Sequence, residues 1–401
     1  MRTTIAITRQ EGVQLRIAIF SDTYAPEIKG VARTLKRYTD YLEREGIDYQ
    51  LFIPESRTPV PAIPHVERFT SIPFLLYPEC RLAIPNPMLI KQRLTAFQPT
   101  LIHIATPFNL GLFGLHYGKK HHIPIVASYH THFDDYLDYY NLPFLKRFVM
   151  RYMTWFHAAA ERVYVPSPST KEKLLSQGIH REIEVWGRGV NCVAYSPAKR
   201  SSSVRERFGI REKHVILYVG RIAPEKDVQL ALETFRQLPD TIKEQAHLLI
   251  VGDGPLLKRL SEADPPQVTF AGFMEGEELS EVYASSDLFL FPSATETFGN
   301  VVLEAMASGL PVIGARAGGV QNLIAHGMNG YLCEAKCTAD FLKQTSRLLS
   351  DGDLRSLLGE QARKYALSQS WDAIFNQLLT SFGQVVRTHK YDAREAYAKI
   401  G

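Results

Sequence analysis

The stretch from Ser293 to Gly314, SATETFGNVVLEAMASGLPVIG, sets Glu296 and Glu304 on either side of Phe298, Gly299 and Asn300. Carboxylates are strong acceptors for hydroxyl hydrogens. The residues after Gly299 have a helical pattern closed by Gly309, and DLFLFPS before them reads as a strand. ATETFG is therefore a strand-to-helix loop. A helix start offers unpaired N–H groups and the positive end of the dipole, which suits a phosphate. Gly299 has no side chain to keep a phosphate away. Glu304 lies about one turn further on, roughly 6 Å along the axis. A diphosphate over the helix start, with hydroxyls on both sides, describes a nucleotide-sugar. Glu304 would take the ribose and Glu296 the transferred sugar. The plainer alternative is a surface glutamate and a first-turn capping glutamate.

Such a site needs counter-charge. GRIAPEKDV (220–228) supplies Arg221 and Lys226 directly after an apolar strand, where they would stabilise a departing diphosphate. By themselves they also fit a solvated charged loop. VGDGPLLKRL contains G-x-G after a strand, but Leu257 holds the place of the third glycine, so it is a weak dinucleotide fingerprint. His130 ends the apolar run PIVASYH and reads equally as a site residue or a satisfied core or rim histidine. His132, Asp134 and Asp135 follow it, yet THFDD lacks a separated Asp-x-Asp, and no catalytic metal is expected. Cys80, Cys192, Cys333 and Cys337 are too sparse for a disulfide framework, and CEAKC has no second Cys/His pair at zinc spacing.

The elements that would position these residues alternate in type. LRIAIFSD (15–22), YQLFIP, TLIHIA, PIVASYH and RVYVPS read as buried strands, with GVARTLKRYTDYLEREG (30–46) and other helical stretches between them. A second series runs HVILYVG (214–220), HLLIVG, QVTFAG, DLFLFPS and LPVIGA. Alternating strands and helices imply parallel sheets covered on both faces. Two series imply an α/β chain of two Rossmann-like, doubly wound domains facing each other across a cleft. Pro197 and the serines at 201–203 punctuate the middle, which divides the chain into domains at 1–197 and 198–375. WDAIFNQLLTSFGQVV is a long amphipathic helix. It opens a C-terminal helix and tail, with residues 376–401 expected to return toward the N-terminal domain.

At 401 residues the chain is too long for one ordinary core, and 45% hydrophobic with 22% charged residues is the balance of a globular protein. No apolar run approaches a membrane span, and the start lacks the apolar core of a signal peptide. The expected location is cytoplasmic, with peripheral attachment to the inner face of the cell membrane. The net charge of +4 hides an asymmetry: 25 Lys and Arg against 17 Asp and Glu in residues 1–200, but 21 against 25 afterwards.

Taken together, Glu-x7-Glu at 296–304, GR-x4-K at 221–226, GLPVIGARAGG (309–319), SDTYAPEIKGVARTL (21–35) and SYHTHFDDY (128–136) resemble the retaining nucleotide-sugar glycosyltransferases of the GT-B type, in glycosyltransferase family four. The likeness runs in order over residues 15–375. That family includes mannosyltransferases and glycolipid-forming glucosyl and sulfoquinovosyl transferases. The resemblance implies transfer of a hexose from a UDP- or GDP-linked donor with retention, no required metal, no cofactor and no nucleic-acid partner. It implies that the domain at 1–197 binds the acceptor and the domain at 198–375 the donor. It implies that Gly30 lies near the donor diphosphate and His130 beside the transferred sugar, so that His130 and Glu296 form the catalytic set. Arg221 and Lys226 would bind the phosphates. Phe298, Gly299 and Asn300 would shape the donor site, Glu304 would take the ribose, and Phe273 would lie where the base is held. Lys29 stands where many relatives have a first glycine.

Competing readings on the same fold are an epimerase, a phosphorylase, a non-catalytic sugar-nucleotide-binding protein and, more distantly, a dehydrogenase. For the acceptor, the positive N-terminal half matters. Lys29, Arg33, Lys36 and Arg37 recur at near-helical spacing. FLKRFVMRYMTWF (144–156) sets Phe144, Phe148 and Tyr152 on one face with Lys146, Arg147 and Arg151 elsewhere. Basic amphipathic helices with aromatics lie on anionic membrane surfaces. Each also fits an ordinary domain helix with a solvated face. The expected acceptor is a lipid or lipid-linked glycan precursor.

Overall fold

A computed structural model describes residues 14–27, 30–56, 63–73, 81–131, 143–262 and 267–398. Two parallel sheets dominate it. The first holds seven strands, β1 (Arg16–Phe20), β2 (Asp48–Pro54), β3 (Val66–Phe69), β6 (Leu101–Ile104), β7 (Ile125–Ser128), β8 (Arg162–Val165) and β9 (Ile183–Val185). Their spatial order is β3-β2-β1-β6-β7-β8-β9. Between β3 and β6 lies a small antiparallel pair, β4 (Ser71–Pro73) and β5 (Arg81–Ala83).

The second sheet holds six strands, β10 (His214–Val219), β11 (Ala246–Val251), β12 (Val268–Gly272), β13 (Leu288–Phe291), β14 (Val312–Ala315) and β15 (Gly330–Cys333), in the order β12-β11-β10-β13-β14-β15. The central strands are buried throughout, as continuous apolar runs between two helical layers should be.

In each sheet the order reverses beside the first strand, between β1 and β6 and between β10 and β13. Ligands of doubly wound sheets bind outside the carboxyl ends of the strands at such a point. The residues delivered there are Asp22 and the helix start at Gly30 on one side, and Arg221, Lys226 and the 293–300 loop on the other.

Five strands escaped the sequence reading: the short antiparallel pair β4 and β5, and three in the parallel sheets. β3 and β9 are the sheet edges, and Glu67, Arg68 and Glu184 interrupt their apolar runs. β15, GYLC, is only 4 residues long. It places Cys333 in the core, while Cys337 caps the following helix; both are free thiols.

Six helices bear on the site: α1 (Gly30–Arg44), α2 (Lys146–His157), α3 (Pro168–Ser176), α4 (Gly276–Ala284), α5 (Asn300–Ala307) and α6 (Trp371–Ala398). Helix α6 crosses back to the first sheet. Phe375, Leu378, Leu379, Phe382, Val385 and Val386 bury with Leu35, Tyr38 and Leu42 of α1 and with Ile17 and Ile19 of β1. Each such side chain contributes roughly 1.5–3 kcal/mol of burial. Ser381 Oγ, between them, meets Tyr164 Oη at 2.6 Å and accepts from Arg162 at 2.7 Å. The outgoing and returning strands of chain touch: Val190 N donates to Gln369 O at 3.2 Å, and a Cβ on Gly189 would come 2.7 Å from Trp371. The Pro197–Ser203 stretch is not a free linker. It is docked on α4, with Lys199 on Glu277 at 2.6 Å and Ser201 N on Ser285 Oγ at 3.0 Å.

Candidate functional site

Gly299, with φ of +98°, turns the chain from the strand loop into α5 and caps it without a side-chain hydrogen bond. The first turn is therefore not occupied by a capping oxygen. The start of α1 faces it: a Cβ on Gly30 would lie 3.2 Å from Asn300 Nδ2. Two helix N-termini thus converge, and both present the positive end of the dipole. Lys29 lies outside the described residues.

Lys226 Nζ and Glu296 Oε1 form an ion pair of 2.6 Å at the same loop, with side chains 13% and 20% exposed. Arg221 Nη1 is 3.3 Å from Oε1 of Glu225, whose side chain is fully buried. The sequence set Arg221 and Lys226 as counter-charges for a diphosphate. The structure gives each a carboxylate neighbour of its own, so they are held as well as charged.

Glu304 is buried, and its Oε2 accepts from Tyr283 at 3.3 Å, with Tyr195 also bonding it. Burial pushes its carboxyl up, and Arg33 and Arg37 across the cleft pull it back. This corrects the membrane stripe on α1. Arg33 pairs with Glu275 at 3.3 Å, and Arg37 is half-buried, 5.1 Å over the Trp371 ring. Both face the other domain, because the carboxylates they balance are there. Lys36 pairs with Asp40 one turn along α1.

Phe298 is buried in the second domain's core and supports the loop from beneath. Phe273, after β12, is 52% exposed. His130 ends the segment after β7. Its carbonyl accepts from Thr297 Oγ1 at 3.0 Å, its ring packs at 5.7 Å on Trp186, and its Nδ1 is 2.9 Å from Arg188 Nη2. Burial holds its pKa well below the usual histidine value, with Arg188 and His103 acting the same way. His130 is thus packed on the first domain's core and bonded to the 293–300 loop of the second.

The sequence reading missed the contacts that join the halves. Ser167 Oγ donates to Thr297 O and Ser169 Oγ to Gly318 O, each at 2.7 Å. Ser167 is also the N-cap of α3, and PSPST signals the cap but not the second bond. Arg188, in WGRGV, lies in no charge pattern. Among the described residues no three His, Cys, Asp or Glu side chains gather as a metal site. His132, Asp134 and Asp135 fall outside the described residues, as does Cys80.

Asp22, at the end of β1, stands in no charge pattern of the sequence either. It is 1% exposed and accepts from Thr106 Oγ1 at 2.9 Å, and burial raises its pKa to about 7. Its folded pKa exceeds the unfolded one, so its stabilising share is complete below the ordinary carboxylate pKa and is lost as pH rises through about 7. Asp22→Asn should therefore gain stability over the parent as pH rises from 4 to 8, by up to about 4 kcal/mol. Denaturant titrations of both proteins across that range check it. A gap that does not change with pH would show that Asp22 is ionised throughout.

Comparison with known proteins adds to the geometry. Residues 202–365 match the model described as Glycosyl transferases group 1, and residues 28–193 match Glycosyltransferase Family 4. A GDP-mannose-dependent alpha-mannosyltransferase of Mycobacterium tuberculosis is 32% identical over 380 residues, covering 92% of this chain and 97% of that protein. A sulfoquinovosyl transferase of Arabidopsis thaliana is 34% identical over 76% of this chain and 60% of its own length. An alpha-monoglucosyldiacylglycerol synthase of Streptococcus pneumoniae is 29% identical, covering 79% and 75%. Among solved structures, the sucrose-phosphate synthase of Thermosynechococcus elongatus superposes with a TM-score of 0.77 at 20% identity, covering 93% of this chain and all of that one. Anabaena HepE in complex with UDP gives 0.71 at 21%, covering 92% and 99%.

Proposed function

We infer the reaction from one premise: the chain belongs to glycosyltransferase family four, with the GT-B fold. The proposed reaction moves a hexose from a UDP- or GDP-linked donor to a hydroxyl of a lipid or lipid-linked glycan, with retention at the anomeric carbon. The observation that carries it is the convergence of the α1 and α5 starts at Gly30 and Asn300, beside the Lys226–Glu296 pair. That arrangement suits a diphosphate with a sugar on one side and a ribose on the other.

On this reading the C1–O bond to the diphosphate breaks as the acceptor oxygen approaches the same face. The acceptor proton passes to a leaving phosphate oxygen. Lys226, Arg221 and the two helix starts stabilise the negative charge that builds there. Glu296 is engaged by Lys226, which favours a positioning and hydroxyl-binding role over attack on C1. Glu304 would accept from the ribose, and contact between the halves would exclude water from the donor. The names of the relatives support the acceptor class: one makes a glucosyl diacylglycerol and another transfers sulfoquinovose.

The test is turnover of UDP- and GDP-hexoses presented with diacylglycerol, phosphatidylinositol or glycolipid acceptors in vesicles. Proton NMR then reads the anomeric coupling of the product. An α-linked product from an α-linked donor is expected. A β-linked product overturns retention, and interconversion of donor alone points to an epimerase.

The surface proposed to meet a membrane lies on α2 and the turn before it. Phe144, Phe148 and Trp155 are 74%, 73% and 55% exposed, and Arg147 and Arg151 share that exposed face. Tyr152, expected among the exposed aromatics, is half-buried and donates to Pro107 O at 2.6 Å; Trp155 takes its place. No helix among the described residues is long and apolar enough to cross a membrane. Each basic group near an anionic surface contributes about 1 kcal/mol. Reversing both arginines (R147E/R151E) should weaken binding to anionic vesicles in low salt by at least about tenfold. Hydrolysis of donor by water should not change. Cosedimentation equal to that of the parent would remove α2 from the membrane.

A further inference from the structure

Arg188 is a buried cation of unusual company. It is 5% exposed. Its Nη1 donates to the carbonyls of Trp186 at 2.6 Å and Gly187 at 2.9 Å, and its guanidinium lies 4.8 Å from the centre of the Trp186 ring. These contacts lock the group in place. Its Nη2 then reaches His130 Nδ1 at 2.9 Å.

A guanidinium has five N–H donors and no acceptor, and it does not give up its proton in a protein. In this bond Arg188 must donate, so Nδ1 of His130 must be the bare, accepting nitrogen. A neutral ring with a bare Nδ1 carries its proton on Nε2. A proton on Nδ1 would set two N–H groups against each other at hydrogen-bond distance. His130 Nε2 is covered and has no partner among the described residues. Buried donors are rarely left so without a ligand or water in the functioning molecule.

We propose that Arg188 is a positioning residue that fixes His130 as the Nε2–H tautomer, making it a permanent hydrogen-bond donor rather than a proton acceptor. This rests on the reading of His130 as lying beside the transferred sugar. The partner it suits is an oxygen of that sugar, a hydroxyl or an anionic substituent. Proton transfer in the reaction is then left to the leaving phosphate, and His130 contributes no ionisation to the pH–rate profile. Burial supports this from another side, since it disfavours the imidazolium.

Nitrogen-15 NMR of the full chain, with histidine labelled, tests the tautomer without any substrate. The expected His130 signal is Nε2–H with bare Nδ1, unchanged between pH 5 and 9. Arg188→Met removes the donor and should release His130 to exchange tautomers and titrate. In the same variant kcat should fall by about tenfold or more, with a smaller change in KM for donor, because one directed hydrogen bond is lost. Its pH–rate profile should gain an acidic limb absent from the parent. Arg188→Lys, which still donates, should recover most of the activity and the flat profile. An Nδ1–H signal in the parent overturns the proposal. So does a Met variant whose His130 signal and pH profile match the parent while only its melting temperature falls. If the tautomer is as expected but no nucleotide-sugar is turned over, the transferase reading fails and the Arg188–His130 assignment stands.

Discussion

Glu296→Gln should reduce transfer by at least about tenfold, since one charged hydrogen bond contributes roughly 1.5–3 kcal/mol. Glutamine keeps the shape and removes the charge. The change acts twice, because Glu296 also neutralises Lys226 at 2.6 Å in a place where both side chains are mostly covered. Removing the closest carboxylate from a mostly covered ammonium costs stability, so a drop of a few degrees in melting temperature should accompany the loss. Affinity for free nucleoside diphosphate should not fall, since a negative charge near the phosphates has been removed. That combination, lower kcat with undiminished diphosphate binding, distinguishes a sugar-side role from general damage. Turnover equal to the parent would take Glu296 out of the site.

The second large effect is expected at Gly318. It holds φ of +53°, and a Cβ there would lie 2.4 Å from Glu296 O and 3.1 Å from Ala294 O. Its neighbour Gly319 donates from N to the same Glu296 carbonyl at 2.6 Å. Gly318 O also accepts from Ser169, so the loop is gripped from both sides. Gly318→Val must push backbone off backbone and move Glu296. Displacement of about 1 Å in a catalytic group can cost a hundredfold in rate, and a loss of at least that size is expected. Gly327→Val is the control. Its φ of +78° is equally unsuited to valine, but nothing lies within 4 Å of the added carbon. It should lose about 1 kcal/mol or more of stability and keep its activity. If both variants lose activity alike, strain rather than loop displacement is responsible.

The sheets were legible because their central strands are unbroken apolar runs. The edges β3 and β9 were not, because a strand with one free edge tolerates Glu67, Arg68 and Glu184. Glu296, Arg221 and Lys226 stood out because they lie in loops directly after strands, and Glu304 because it follows in the first turns of the helix that the loop opens. What sequence could not give was their pairing: that Lys226 meets Glu296, or that Arg33 and Arg37 of α1 turn toward Glu304. A stripe of basic residues has the same period whether it faces lipid, water or a second domain. Arg188 was invisible for a related reason. A lone cation between glycines carries no periodic signal, and its meaning lies in a histidine 58 positions away in the chain.

The return of α6 to the first sheet has a consequence for synthesis on the ribosome. The core holding Ile17, Tyr38 and Leu51 is closed by Phe375, Phe382 and Val386, which are made after the whole of the second core. The strands of the second domain and the helices that cover them precede Trp371, so that core can be complete while the first still lacks a wall. At translation rates of about 5–20 residues per second, the interval between β9 and α6 is roughly ten to forty seconds. Throughout it, the N-terminal half exposes the apolar surface that α6 covers. The second core can therefore close before the first although it is made later, and termination before Trp371 leaves the N-terminal core without one of its walls.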